Sequence, residues 1–299
     1  MTEGTFPRRM ALATDLSHRC DRALDRALLV ARAWQAELTV IHALAPPETM
    51  TLFGSLRDLP SWRRPPDPVR KARDRIYRDL VREDPHVDIA VHVETGSPAE
   101  VVLEAARESH AELIVTGIAR DELLARMFLG DTVDQLIRKS PVPVLIVRDR
   151  AFEPYHTMLV ATDFSESSRV ALETAIRFFP DTGLSLFHAY DVPFAGYLGR
   201  AEVEKQFEGY GKDAADKFLA EAGLTPDAAR KVSHMIEHGV PEALLRDYAE
   251  NSRRHLTVVG THGGGMVYET LIGSTARKII DAVPGDVLLV PDPAKRKAD

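Results

Sequence analysis

The sequence predicts an α/β protein built from two copies of one domain, each a parallel β-sheet with helices on both faces. Two observations carry that prediction. Segments of the first half recur in the same order in the second, and within each copy short β-branched runs alternate with longer stretches of helical periodicity. The length of 299 residues suits two cores of ordinary size, divided as residues 1–150 and 151–299.

The repeat is explicit. MALATDLS at Met10 to Ser17 returns as MLVATDFS at Met158 to Ser165, and LTVIHAL from Leu38 returns as LSLFHAY from Leu184. VETGSPAEVVLEAA from Val93 answers IEHGVPEALLRDYA from Ile236. ELIVTG from Glu112 answers LTVVG from Leu256, LGDT from Leu129 answers IGST from Ile272, and VPVLIV from Val142 answers GDVLLV from Gly285. The offset between copies shrinks along the chain, as loop-length differences make it do.

In the second copy, strands are expected at about residues 157–162, 183–188, 231–237, 256–259 and 286–290, and the first copy follows the same scheme. Ser97-Pro98-Ala99-Glu100 reads as a capping box opening a helix, with serine at the N-cap and glutamate reaching back. The stretch from Pro46 to Pro68 is too proline-rich for a regular element and reads as a surface excursion. Mixed charges at helical spacing from Arg70 to Arg82 and from Ala201 to Lys217 mark solvated helix faces.

Composition excludes several classes of function. A net charge of -7 opposes broad nucleic-acid binding, which needs a basic face, and the basic tail from Lys295 to Lys297 is short. No run approaches the roughly 18 apolar residues of a membrane span, and no signal-peptide segment opens the chain, so a cytoplasmic protein without membrane contact is expected. Cys20 is the one cysteine and forms no internal disulfide. His234 and His238 are four apart but lie in or just beyond an expected strand without nearby cysteine or a third ligand, so no metal site is assigned there.

The informative segment is Gly260-Thr261-His262-Gly263, then nine residues, then Gly273-Ser274-Thr275, lying between a strand and a helix. Glycines let the backbone approach a phosphate closely, and the helix N-terminus and freed N–H groups supply positive potential. Ser274 and Thr275 add hydroxyls. Asp163 closes the first strand of the same copy, and Gly260 closes the fourth. If those strands are neighbours where the sheet order reverses, both face the crevice in which such sheets bind ligands.

These residues resemble the universal stress protein family, whose ATP-binding members carry Gly-x2-Gly-x9-Gly-Ser/Thr, here Gly260, Gly263, Gly273 and Ser274. The early Thr162-Asp163-Phe164-Ser165 element and the His188-Ala189 pair match the family as well. The likeness spans nearly the whole chain, twice. It implies two Rossmann-like domains, each a five-stranded parallel sheet of order 3-2-1-4-5, with ATP and Mg2+ held across the C-terminal strand ends. It implies that Thr162, Asp163 and Ala189 meet adenine and ribose. Val259 and Gly260 line the ribose side, and Gly263, Gly273, Ser274 and Thr275 the phosphates. It further implies a pseudo-dimer of the two domains through their last strands, around Val144 to Val147 and Val287 to Val290. Homodimerisation of whole chains and an unidentified protein partner remain open, and the role implied is regulatory, in stress adaptation.

The first copy departs from the motif. Gly117 and Gly130 align, but Arg120 stands where the second glycine is expected and Asp131 where the serine is. A carboxylate about 4 Å from a phosphate costs about 4 kcal/mol at an effective dielectric near 20, roughly a thousandfold in affinity. An intact ATP motif is thus expected in the C-terminal half only, with Arg120 pairing to phosphate from another direction as the alternative. No Walker A lysine follows the loop and no Ser-His-Asp arrangement appears. The chain is therefore read as a nucleotide-binding regulator with no assigned catalytic residue, against the alternatives of a nucleotide-independent scaffold or a slow ATPase.

Overall fold

The computed structural model describes residues 6–17, 20–45, 67–80, 86–120, 127–190, 200–252, 256–261 and 272–292. The first copy runs β1 (Arg9–Ala13), α1 (Cys20–Trp34), β2 (Glu37–Leu44), α2 (Pro68–Arg75) with a π-helical turn Ile76–Leu80, β3 (Ile89–Thr95) and α3 (Pro98–Glu108). It continues through β4 (Leu113–Gly117), the short β5 (Ala119–Arg120) and β6 (Met127–Phe128), α4 (Asp131–Lys139) and β7 (Val144–Val147). The second runs β8 (Thr157–Ala161), α5 (Glu166–Phe178), β9 (Gly183–Tyr190), α6 (Arg200–Glu221) and α7 (Pro226–Ala229). It ends with β10 (Ser233–His238), α8 (Pro241–Ser252), β11 (Leu256–Gly260), α9 (Ser274–Ala282) and β12 (Asp286–Val290).

All five expected strands of the second copy form. The third begins later than 231, because Val232 closes a turn onto the Ala229 carbonyl at 3.0 Å before the ladder starts. The first ends at Ala161, so Asp163 lies just beyond the strand. Ser97 and Pro98 open α3 as expected, but the Ser97 side chain makes no capping hydrogen bond, so the capping box is not formed. A working side-chain cap is found instead at Asp67, whose carboxylate accepts the Val69 N–H at 3.0 Å. Most of the stretch from Pro46 to Pro68 lies outside the described residues.

The ten main strands form one sheet in the order β10-β9-β8-β11-β12-β7-β4-β1-β2-β3. Each copy is parallel with its first strand central, which is the 3-2-1-4-5 order. The copies join where β12 pairs antiparallel with β7, Val287 opposite Ile146, Leu288 opposite Leu145 and Leu289 opposite Val144. Leu145 and Leu288 are counterparts in the repeat, so the pseudo-twofold axis passes between them. Two apolar layers cover the sheet, and each runs through both copies. One holds Leu12, Ala23, Ile76, Val160, Ala171 and Ala215 under α1, α2, α5 and α6. The other holds Ile114, Ala99, Val133, Leu245, Ala276 and Leu289 under α3, α4, α8 and α9.

The junction carries a buried polar network. Asp286, 1% exposed, accepts from Arg26 Nε at 3.1 Å, Tyr155 OH at 2.6 Å, Arg148 N at 2.8 Å and Asp149 N at 3.1 Å. The Arg148 guanidinium donates to the carbonyls of Ile280 and Val283, and the Arg26 guanidinium stands over the Tyr155 ring at 4.0 Å. Burial lowers the Arg148 pKa, with Asp281, Asp286 and Asp149 opposing. Burial, and then the charge of Asp286, push the Tyr155 hydroxyl well above its usual range, so it stays a donor. Trp34 closes the junction against Phe178 and Phe179, with ring centroids 5.2 and 5.5 Å away.

Candidate functional site

β8 pairs in parallel with β9 on one side and with β11 on the other, so the sheet reverses direction at β8. That is the position at which open α/β sheets bind ligands beyond the C-terminal strand ends. Asp163 follows β8 there, and Gly260 ends β11.

The turn after β8 is held by its own side chains. Thr162 N–H continues the ladder to the Phe187 carbonyl at 2.8 Å, and His188 Nδ1 donates to the Thr162 carbonyl at 2.8 Å. Thr162 Oγ1 accepts the Phe164 N–H at 2.8 Å and contacts Ser168 Oγ at 2.9 Å, and Asp163 Oδ1 accepts the Ser165 N–H at 3.1 Å. Thr162 is thus buried and spent on shaping the turn, while Asp163 is exposed. Phe164 takes a left-handed φ of 61°, costly for an aromatic residue, with its ring 4.4 Å from that of His188.

The first copy builds the same turn. Leu16 also has φ 61°, its N–H meets Thr14 Oγ1 at 3.1 Å, Asp15 accepts the Ser17 N–H at 2.8 Å, and His42 Nδ1 donates to the Thr14 carbonyl at 2.8 Å. The strained Asp-bearing turn is therefore common to both halves, and the halves part company at the other wall of the crevice.

On that other wall, Gly260 packs against α5 so closely that an added Cβ would lie 2.8 Å from Ser167 Oγ and 2.9 Å from the Ser167 carbonyl. Glycine is thus required there by packing, whatever else it serves. Thr261, fully buried, accepts the Gly273 N–H on its carbonyl at 2.8 Å and the Asp292 N–H on its hydroxyl at 3.0 Å. The two ends of the loop between β11 and α9 are thereby pinned together. Gly273 is the buried N-cap of α9 and offers no side-chain cap. Ser274 and Thr275 are exposed in the first turn, which contains no acidic residue. Val259 is buried in the core and Ala189 is half-buried on β9. Gly263 and His262 lie outside the described residues.

The equivalent wall of the first copy differs in kind. Gly130 caps α4, and the first turn carries Asp131 and Asp134, negative charge placed at the positive end of that helix. Arg120 pairs with Met127 in the small β5-β6 ribbon, so that backbone is engaged in a ladder. Sequence reasoning assigned no role to Thr261 or Ser167, whose contacts depend on the packing of separate elements. Among the described residues no group of three His, Cys, Asp or Glu could hold a metal ion. No helix among them is long and apolar enough to cross a membrane.

Fold and crevice together define a pair of doubly wound α/β domains, with a candidate crevice at the sheet reversal of the second. The model of the universal stress protein family matches residues 7–148 and again 154–291, so the chain belongs to that family as a tandem member. A universal stress protein of Mycolicibacterium smegmatis is 24% identical over 293 residues, covering 93% of this chain and 95% of that protein. The stress response protein NhaX of Bacillus subtilis is 28% identical over 167 residues, 47% of this chain and 97% of that protein. Among solved structures, a universal stress protein of Archaeoglobus fulgidus superposes with a TM-score of 0.63 at 19% identity, covering 95% of this chain and 98% of that one.

Proposed function

We propose that the chain is an ATP-binding regulator of stress adaptation acting in the cytoplasm, with nucleotide taken up by the second half and not by the first. The observation that carries this is the contrast between the two helix starts facing the crevices. α9 begins on glycine with exposed hydroxyls and no acid in its first turn, whereas α4 begins on two aspartates. An anion is attracted to the first and repelled from the second.

In this reading Asp163 and the backbone around Ala189 and Val259 receive adenine and ribose, with Thr162 holding Asp163 in place. Gly263, Gly273, Ser274 and Thr275 receive the phosphates, and Mg2+ enters as the companion of the triphosphate. Nucleotide occupancy of the second half alters its conformation or its binding of a protein partner. The residues fit the group because Gly273 caps α9 without a side chain and the first turn of α9 carries no carboxylate.

Melting with and without ATP and Mg2+ tests the reading. At a hundredfold excess over Kd, a ligand of the native state adds about 2.7 kcal/mol, several degrees in Tm, and the Ser274→Asp variant loses the shift. An unchanged Tm at millimolar ATP favours the nucleotide-independent scaffold.

A further inference from the structure

We infer that the junction between the two halves is a charge-coded recognition surface: each half's face fits the other half and rejects a copy of itself. The axis passes between Leu145 and Leu288, so residues that lie close to it meet their own counterparts in the repeat. Aligning Gly130 with Gly273 makes Asp134 the counterpart of Arg277 and Arg138 the counterpart of Asp281. Asp134 and Arg277 form an ion pair across the junction, with side chains 25% and 34% exposed. Each is also paired within its own helix, Asp134 to Arg138 at 2.7 Å and Arg277 to Asp281 at 3.2 Å. The two helices thus carry the same pair of charges in opposite order. Two copies of the first half would set Asp134 against Asp134, and two copies of the second Arg277 against Arg277, and like charges so placed oppose association.

Asp286 points the same way independently. Its counterpart in the first half is Pro143, and the counterparts of its partners Arg26 and Arg148 are Thr174 and Pro291. In a pair of second halves the Asp286 carboxylate would lose the Arg26 cation, and the Arg148 N–H would be replaced by a proline with no N–H to give. A buried carboxylate without its cation is strongly disfavoured. The duplicated chain is therefore the covalent form of a heterospecific pair, and its faces are unsuited to assembling chains through the same edge strands.

Exchange of charges in the full chain tests this, in a Trp62→Phe background so that Trp34 alone reports on the junction. The double variant Asp134→Arg, Arg138→Asp keeps the pair within α4 but confronts like charges across the axis. It is expected to lower Tm by on the order of 5 °C and shift Trp34 emission. Adding Arg277→Asp and Asp281→Arg is expected to restore both to within about 2 °C. A double variant that melts like the parent, or a fourfold variant that recovers nothing, overturns the proposal. In a second arm, a protease site placed at exposed Phe152 is cut after folding and the fragments are exchanged through mild urea. Native mass spectrometry is expected to find only the mixed pair. Self-pairs of either half, or separated halves, overturn it.

Discussion

Combining Ser274→Asp with Gly263→Arg is expected to weaken ATP binding by about a thousandfold while leaving Tm without nucleotide nearly unchanged. The two substitutions install in the second half the residues that the first half carries at the same motif positions. Ser274 opens α9 with no acid in the first turn, and a carboxylate there mimics the arrangement of Asp131 on α4. The carboxylate favours the helix by a few tenths of a kcal/mol up to about 1 kcal/mol. The same charge repels an incoming phosphate by about 4 kcal/mol at 4 Å and an effective dielectric near 20, so the ligand loses far more than the fold gains. Ser274→Ala, which removes only a hydroxyl, is expected to cost about tenfold. Titration of the three proteins with ATP and Mg2+ separates repulsion from the loss of a hydrogen bond.

The second large effect falls on stability. Asp286→Asn should destabilise the chain by about 3–5 kcal/mol, a fall in Tm on the order of 10 °C. Four donors converge on the Asp286 carboxylate, two of them from side chains and two from backbone. An amide offers one oxygen and turns an N–H group toward donors, and the Arg26 cation, 5% exposed, loses its counter-charge. Replacing Arg26 by Met in the same protein removes that stranded cation and should recover part of the loss, a non-additivity that thermal melting of the single and double variants measures.

The sequence made the second half's crevice legible because its chemistry is local. The side chains of Thr162 and Asp163 bond near neighbours to shape the turn, and Gly260, Gly273 and Ser274 stand at strand and helix ends that periodicity locates. The strand order and the β7–β12 pairing came from resemblance, since edge pairing depends on which face remains after each copy has folded. Two features stayed hidden for physical reasons. Asp286 reads as one charge in an apolar run, and its cation, Arg26, is 260 residues away along the chain. Gly260 reads as a phosphate glycine, yet its closest demand is Ser167, whose hydroxyl and carbonyl crowd it only when α5 is laid on β11. The Ser97 capping box shows the converse: a motif complete in sequence, with its side-chain bond unmade.

The asymmetry between the halves is the central claim, and the number of nucleotide sites tests it most directly. Calorimetric titration of the wild-type chain with ATP and Mg2+ is predicted to give one site per chain, abolished by Ser274→Asp with Gly263→Arg. Two sites per chain, or one site that survives those substitutions, would contradict the account by showing that the half bearing Arg120 and Asp131 binds nucleotide after all.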